Sequence, residues 1–407
     1  MDASDATGPA TLLVTVTGRD RPGVTSALFE TLARFDVEVL DVEQVVIRGR
    51  LILGVLVARA ANEGTVRAAL TGALTPLGMD VEVAAGSGDH GPRRRGRSHV
   101  TVVGHPLLPA AMGGIAGRIA DYGGNIDRIM RIARYPVTAV ELEVSGADPA
   151  DLRSRLSLAA ASLGVDVAVE RSGLHRRAKR LVVMDVDSTL VQGEVIEMLA
   201  ARAGCADEVA AVTEAAMRGD VDFAESLRRR VRMLKGVEAT VLDAVRRDLL
   251  LAPGARTFVR TLKRLDFRFA IVSGGFTQVT DPLAADLGID YAAANTLEIV
   301  DGRLTGRLVG PVLDRGGKAD ALERFAREAG VAVSQTVAIG DGANDLDMLG
   351  RAGLGIAFNA KPVVRRAADT TLNVPYLDAI LFLLGISREE IEAADEEEGI
   401  TVTTPPT

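Results

Sequence analysis

Three short apolar runs in the second half of the chain each end abruptly in a polar cluster. They are Leu181–Met184 before Asp185-Val186-Asp187-Ser188-Thr189, Phe269–Val272 before Ser273-Gly274-Gly275-Phe276, and Thr336–Ile339 before Gly340-Asp341-Gly342-Ala343-Asn344-Asp345. A strand that is apolar at every position has both faces buried, which predicts a parallel, doubly wound sheet with helices on each side. Ligands of such sheets collect at the carboxyl ends of the strands, where all three clusters fall. A helical pattern from Gly193 to about Ala252 interrupts the first crossover and predicts a helical cap over that edge.

The first half carries an internal repeat. Strand, helix, two strands, helix and strand are predicted over Thr11–Val83, and the same order returns over Ser98–Glu170. Gly18 and Gly104, at the ends of the first strands, stand 86 residues apart, as do Gly78 and Gly164 before the last strands. Two tandem βαββαβ units, each α+β and ferredoxin-like, are expected. The predicted organisation is 1–86, 98–172, a doubly wound α/β domain over 179–386 with its cap at about 193–252, and an acidic, frayed tail over 387–407. The Arg-rich connector Gly86–Arg97 and the run His175–Arg180 read as solvated linkers.

A chain of 407 residues is long enough for several cores, and 47% hydrophobic content supplies them. Aromatic residues make up 3%, Trp is absent and the net charge is -8, which argues against base stacking and a nucleic-acid partner. Cys205 is the single cysteine, so neither an intrachain disulfide nor a cysteine-rich metal site is expected. The N-terminus lacks the pattern of a signal peptide, and no apolar run is long enough for a bilayer; a cytoplasmic protein without membrane contact is expected.

Asp185 and Asp187 lie two apart at a strand end, so both carboxylates can face one site. Hydrolysis of a phosphate ester needs an in-line nucleophile, an acid for the leaving oxygen and cationic cover, and an Asp pair supplies the first two. The same residues could simply cap a helix. Ser273 with the N–H groups around Gly274 could cradle an anion, or form a plain tight turn. Oxygen donors near Asp341, without His or Cys, suit magnesium better than zinc. Lys318 opens a predicted helix, where it could neutralise a phosphate, hold the nucleophile or stand in solvent.

Taken together and in order, Asp185–Thr189, Ser273, Lys318 and Gly340–Asp345 resemble the four motifs of the haloacid dehalogenase superfamily. The resemblance implies Asp185 as nucleophile and Asp187 as acid and then base, with Ser273 and Lys318 holding the phosphoryl group. It implies Mg²⁺ on Asp185, Asp341 and the main-chain oxygen of Asp187, supported by Asn344 and Asp345. Transporting ATPases of the superfamily carry Thr where Asp187 stands; an alkoxide leaving group needs the acid, so a phosphatase is implied.

Within the superfamily the chain resembles the phosphoserine phosphatases, through Glu194, Met217, Phe223 and Arg230. That implies hydrolysis of O-phospho-L-serine to L-serine and phosphate, the last step of serine biosynthesis. Glu194 would face the ammonium and Arg230 the carboxylate, with Met217 and Phe223 lining a closed lid and Gly274 and Asn344 near the substrate. By their own pattern, Glu194 is first-turn helix charge, Arg230 is one arginine in a run of them, and Met217 and Phe223 are core. Another phospho-amino acid, a phosphoprotein, phosphotransfer, or an inactive amino-acid sensor are the competing readings. The tandem repeats resemble ACT domains, which implies an amino-acid effector such as L-serine and a homodimer. The loop Thr17–Gly23, with Gly18, Asp20 and Gly23, looks like an ACT ligand loop; Gly104 holds the matching place in the second copy, which lacks the Asp.

Overall fold

The structure is a computed structural model that describes residues 10–35, 37–58, 62–87, 96–173, 176–217 and 221–400, with the side chain of residue 217 left out. Most of the predicted Arg-rich connector, residue 175 of the second basic run, and 401–407 of the tail lie outside the described residues. The chain forms two compact units, 1–94 and 95–407.

The first unit is one βαββαβ repeat: β1 (Ala10–Arg19), α1 (Val24–Leu32), β2 (Val39–Ile47), β3 (Arg50–Ala58), α2 (Glu63–Leu74) and β4 (Met79–Ser87). Its antiparallel sheet has the order β2-β3-β1-β4. Alternate residues Leu12, Val14 and Val16 of β1 and Leu53, Val55 and Val57 of β3 turn to one face. There they meet Val24, Leu28 and Leu32 of α1 and Val66, Leu70 and Leu74 of α2 in a single core.

The second unit begins with the second repeat: β5 (Ser98–Gly104), α3 (Pro109–Asp121), β6 (Asn125–Ala133), β7 (Thr138–Ser145), α4 (Pro149–Leu163) and β8 (Asp166–Arg171), in the order β6-β7-β5-β8. The main α/β fold begins with β9 (Leu181–Asp185), cap helices α5 (Val195–Ala203), α6 (Ala206–Met217), α7 (Phe223–Met233) and α8 (Thr240–Asp248), then α9 (Ala255–Arg264), β10 (Arg268–Phe276), α10 (Thr277–Leu287), β11 (Tyr291–Val300) and β12 (Arg303–Val309). It closes with α11 (Arg315–Glu328), β13 (Thr336–Gly340), α12 (Leu346–Arg351), β14 (Gly355–Phe358), α13 (Pro362–Ala367), β15 (Thr370–Leu372), α14 (Ile380–Leu383) and α15 (Arg388–Glu397).

The seven-stranded sheet runs β12-β11-β10-β9-β13-β14-β15. All pairings are parallel except β11–β12 at the edge. The unbroken apolar runs do bury both faces: Val182 and Met184 join one core while Leu181 and Val183 join the other. The cap has its own core, where Leu199, Leu227, Val231 and Leu242 pack with Phe276, Val279 and Leu297 from beneath.

Two expectations fail here. Residues 388–397 are not a frayed tail but a helix with a Ser387/Glu390 capping box, buried Ile391, and Asp395 paired to Arg260 at 2.8 Å and Arg264 at 2.6 Å. Acidic composition masked a helix whose charges answer arginines on α9. The run ending at Arg180 is not a solvated linker either. Arg176 pairs with Glu141 and Glu170, and buried Lys179 donates to the carbonyl of Ser334 at 2.9 Å. Glu141 lies 35 residues from Arg176 and Ser334 lies 155 from Lys179, which composition cannot reveal.

The second repeat sits against β15. Thr370 Oγ1 donates to the Val167 carbonyl at 3.0 Å, and the Asp166 carboxylate accepts both the backbone and side-chain N–H of Asn373, at 2.7 and 2.5 Å. Among the described residues no helix is long and apolar enough to cross a membrane.

Candidate active site

The register of the central strands explains why three distant clusters meet. Asp185 pairs with Val272 across β9–β10, and Met184 with Ile339 across β9–β13. Ser273 and Asp341 therefore leave neighbouring strands beside Asp185. Asp185 and Asp187 share the site, but strand alternation is not the reason. The strand stops at Asp185, and Val186–Leu190 forms a wide turn with Ser188 at φ 57°. That turn, closed by Val191 N–H to the Val186 carbonyl at 3.0 Å, swings Asp187 back toward Ser273.

Each carboxylate has a different setting. Asp185 Oδ1 accepts the Val186 N–H at 2.8 Å and faces Lys318 Nζ at 2.8 Å. Burial and then the nearby Asp345 charge push its pKa well up, against the pull of Lys318. Asp187 Oδ1 accepts the Val195 N–H at 2.7 Å and Oδ2 the Ser273 hydroxyl at 3.0 Å. Burial raises its pKa too, which favours a protonated acid. Ser273 Oγ in turn accepts the Gly275 N–H at 2.7 Å. A Cβ on Gly275 would come within 2.9 Å of that hydroxyl and 3.1 Å of Asp187, so the turn needs glycine.

Lys318 is wholly buried at the start of α11, whose N-terminus is capped by Asp314. Burial works against its charge, yet Asp185 and Asp345 (2.6 Å) hold the proton and raise its pKa. Asp345 also accepts the Gly342 N–H at 3.0 Å, and Asp341 accepts the Thr189 hydroxyl at 3.3 Å. Asp341 is pushed up to about 6 by burial and then by Asp345. Carboxylate oxygens of Asp185, Asp341 and Asp345 all lie within 4.8 Å of one another. Such a group repels itself unless a cation sits among it, and oxygen-only donors fit a hard divalent ion.

The cap closes the other side of a cavity of about 750 Å³ lined by Asp185, Asp187, Glu194, Phe223, Arg230, Gly274, Asp341 and Asn344. Glu194 accepts the Ser188 hydroxyl at 3.2 Å, and burial, then Asp187 and Asp341, push its carboxyl up to about 7. Arg230 is the arginine of its run that turns inward, and its Nε is buried without a hydrogen-bond partner among the described residues. Arg229 instead pairs with Glu225 on the surface. The side chain of residue 217 lies outside the described residues, so Met217 is not placed.

Several lining residues were not singled out by sequence: Glu197 and Ser226 on the cap, Arg315 at the start of α11, and Lys361 beyond β14. Glu197 and Ser226 stand at helical spacing from Glu194 and Arg230, which was the available signal. Lys361 had none, because only the sheet brings its loop here. Asn295 was also missed. It is buried, donates to the Gly274 carbonyl at 2.9 Å and accepts the Leu313 N–H at 2.8 Å, tying the Ser273 turn to the segment before α11.

In the first unit, Gly18 stands one residue before the end of β1, where a Cβ would stand 2.8 Å from the Gly78 carbonyl oxygen. Asp20 N–H donates to the Gly49 carbonyl at 2.8 Å, and Gly23, at φ 94°, leads into α1, which has no side-chain cap. In the second repeat, a Cβ on Gly104 would stand 3.0 Å from the Cα of Leu107, so its loop folds back tightly.

Residues 182–350 match the haloacid dehalogenase-like hydrolases, and residues 10–84 and 97–170 each match an ACT domain. A phosphoserine phosphatase of Streptomyces coelicolor is 60% identical over 97% of this chain and 97% of its own length. The chain belongs to the phosphoserine phosphatase family. A second member, phosphoserine phosphatase SerB2 of Mycobacterium tuberculosis, is 57% identical over 94% of this chain and 95% of its own. A solved HAD family hydrolase from Salmonella enterica serovar Typhi shares the fold, with TM-score 0.63 and 29% identity over 71% of this chain and 98% of that one. The family accounts for both halves of the chain, an ACT pair followed by a hydrolase domain.

Proposed function

We propose that the chain hydrolyses O-phospho-L-serine to L-serine and phosphate through an aspartyl-phosphate intermediate. The observation that carries this is one cavity with the Asp185/Asp187 pair at its floor and Glu194 and inward-turned Arg230 on its cap wall. Its chemistry matches a phosphate, an ammonium and a carboxylate on one small frame. The family relatives named for this activity support it.

Asp185 attacks phosphorus in line, and the P–O bond to the serine oxygen breaks as that oxygen takes a proton from Asp187. Asp187 then takes a proton from water as the water attacks the aspartyl phosphate, freeing phosphate and restoring Asp185. Ser273 and Lys318 hold phosphoryl oxygens throughout, and burial raises the pKa of Asp187, which favours the protonated form that the first step needs. Mg²⁺ would be held by Asp185, Asp341 and the main-chain oxygen of Asp187, with Asn344 and Asp345 in support, and supplies cationic cover for the phosphoryl group. Phe223 packs over Gly274, where an added Cβ would stand 3.0 Å from its ring, and helps keep water from the intermediate. Met217 is proposed to do the same.

At the ACT pair, an amino acid, L-serine by product feedback, would bind at the loop of Gly18, Asp20 and Gly23, where α1 begins without a side-chain cap. Gly104 marks the matching place in the second repeat. Exposed Val42, Val45 and Ile47 on edge strand β2 support a homodimer.

Phosphate release from L-phosphoserine with Mg²⁺ tests the reading. Turnover abolished by Asp185→Asn, and raised KM in Arg230→Ala, support it. Activity on an aryl phosphate but none on phosphoserine keeps the phosphatase and discards the substrate. Absence of serine binding, with kinetics unchanged at millimolar serine, discards the feedback.

A further inference from the structure

Helix α7 presents Phe223, Ser226, Leu227 and Arg230 to the cavity, the spacing of one helical face. Among the described residues, two polar atoms on that face have no hydrogen-bond partner although both are buried: Ser226 Oγ and Arg230 Nε. Ser226 has 0% and Arg230 9% of its surface exposed. A helical serine can return its hydroxyl to the carbonyl four residues back. Here the Asp222 carbonyl takes the Ser226 backbone N–H at 2.9 Å, and the hydroxyl is left over. Two unmade donors one turn apart, at the wall of a ligand cavity, are costly unless a ligand satisfies them.

None of the acids lining the cavity bonds to either atom. The phosphate belongs at the opposite end, with Ser273 and Lys318, and the ammonium with Glu194. A planar carboxylate offers two oxygens to two neighbouring donors. We propose that Ser226 is a specificity-determining residue whose hydroxyl donates to the substrate carboxylate beside Arg230. The proposal rests on phosphoserine as the substrate and adds a second recognition group for it. It makes the carboxylate, more than the phosphate, the feature by which α7 tells substrates apart.

Steady-state kinetics of wild type, Ser226→Ala and Ser226→Cys on O-phospho-L-serine and on O-phosphoethanolamine, which lacks the carboxylate, provide the test. Thermal unfolding of each variant checks that it is folded, and Cys fills the space that Ala leaves. Both variants are expected to raise KM for phosphoserine about 10-fold with kcat little changed, as for a lost hydrogen bond to a charged group. Their kcat/KM on phosphoethanolamine should stay within about two-fold of wild type. Equal losses on both substrates would assign Ser226 a structural role and overturn the proposal. So would an unchanged KM for phosphoserine in both variants. A wild type that does not hydrolyse phosphoserine fails the substrate reading itself, and the carboxylate contact falls with it before any variant is compared.

Discussion

Lys318 Nζ stands 2.8 Å from Asp185 Oδ1, with 1% and 4% of the two side chains exposed. The same ammonium holds Asp345 at 2.6 Å. One cation thus bridges two buried carboxylates, joining the strand that carries the proposed nucleophile to the loop that carries the acidic group. The proposed chemistry and the fold meet at this residue.

Lys318→Met leaves both carboxylates buried without a cationic partner, and should cost about 3–5 kcal/mol of stability along with all turnover. Asp185→Asn is expected to behave differently. Burial raises the pKa of Asp185, so its charge is carried at a cost, and the amide should unfold in EDTA at or above the wild-type temperature while turnover is lost. Urea and thermal unfolding at pH 7.5 separate the two outcomes, where pH 7.5 is about three to four units above an ordinary carboxylate pKa. A large stability loss in Asp185→Asn would show that its charge helps the fold.

Glu194 should give substrate binding a pH dependence. Its carboxyl, pushed up from 4.5 to about 7, is neutral below that pH and cannot pair with an ammonium. KM for phosphoserine should therefore fall as pH rises through about 7, beyond the change due to the phosphate's own ionisation near pH 6. Glu194→Gln should lose that added dependence. The sign for stability is opposite. A raised folded pKa gives stability that is present below 4.5 and lost as pH rises through about 7, so Glu194→Gln should gain on wild type at alkaline pH and not at acid pH.

Asn295 ties together two segments of the candidate site, through the Gly274 carbonyl and the Leu313 N–H. Asn295→Ala leaves the Leu313 N–H and Gly274 carbonyl unpaired, at about 1–3 kcal/mol in stability. Loosening of the Ser273 turn should lower kcat more than it raises KM, and kinetics beside thermal unfolding would show whether kcat survives.

The C-terminal helix should matter to the fold. Ile391 is 1% exposed against the main core, so Ile391→Ala is expected to cost about 2–5 kcal/mol. Asp395→Ala should also destabilise, since Arg260 and Arg264 depress its carboxyl pKa despite burial. An unchanged urea midpoint in both would mean that α15 is dispensable.

The parallel sheet and the gathering of its polar clusters were legible because both are written locally. An unbroken apolar run such as Leu181–Met184 can be satisfied only between two layers, and the residues just after such a strand lie at its carboxyl end. The repeat was legible for a similar reason, since alternation in β1 and helical spacing in α1 are short-range patterns. The acidic segment of α15 and the basic run Arg176–Arg180 were misread because Asp395, Arg176 and Lys179 find partners far along the chain, in Arg260, Glu141 and Ser334. Arg230 could not be chosen from its run by pattern, although resemblance to a family selected it.

By itself the sequence determined which segments are strands and helices, which faces must be buried, and which end of the sheet carries the reactive groups. Periodicity and the avoidance of water act over a few residues, so they can be read from a few residues. Only the tertiary structure decided that Lys318 meets Asp185, that Asn295 ties the Ser273 turn to Leu313, and that Ser226 and Arg230 turn unpaired donors to one cavity. Those relations depend on strand register and on how the cap packs over the sheet. Both are set by the summed contacts of distant segments, and no local stretch encodes them.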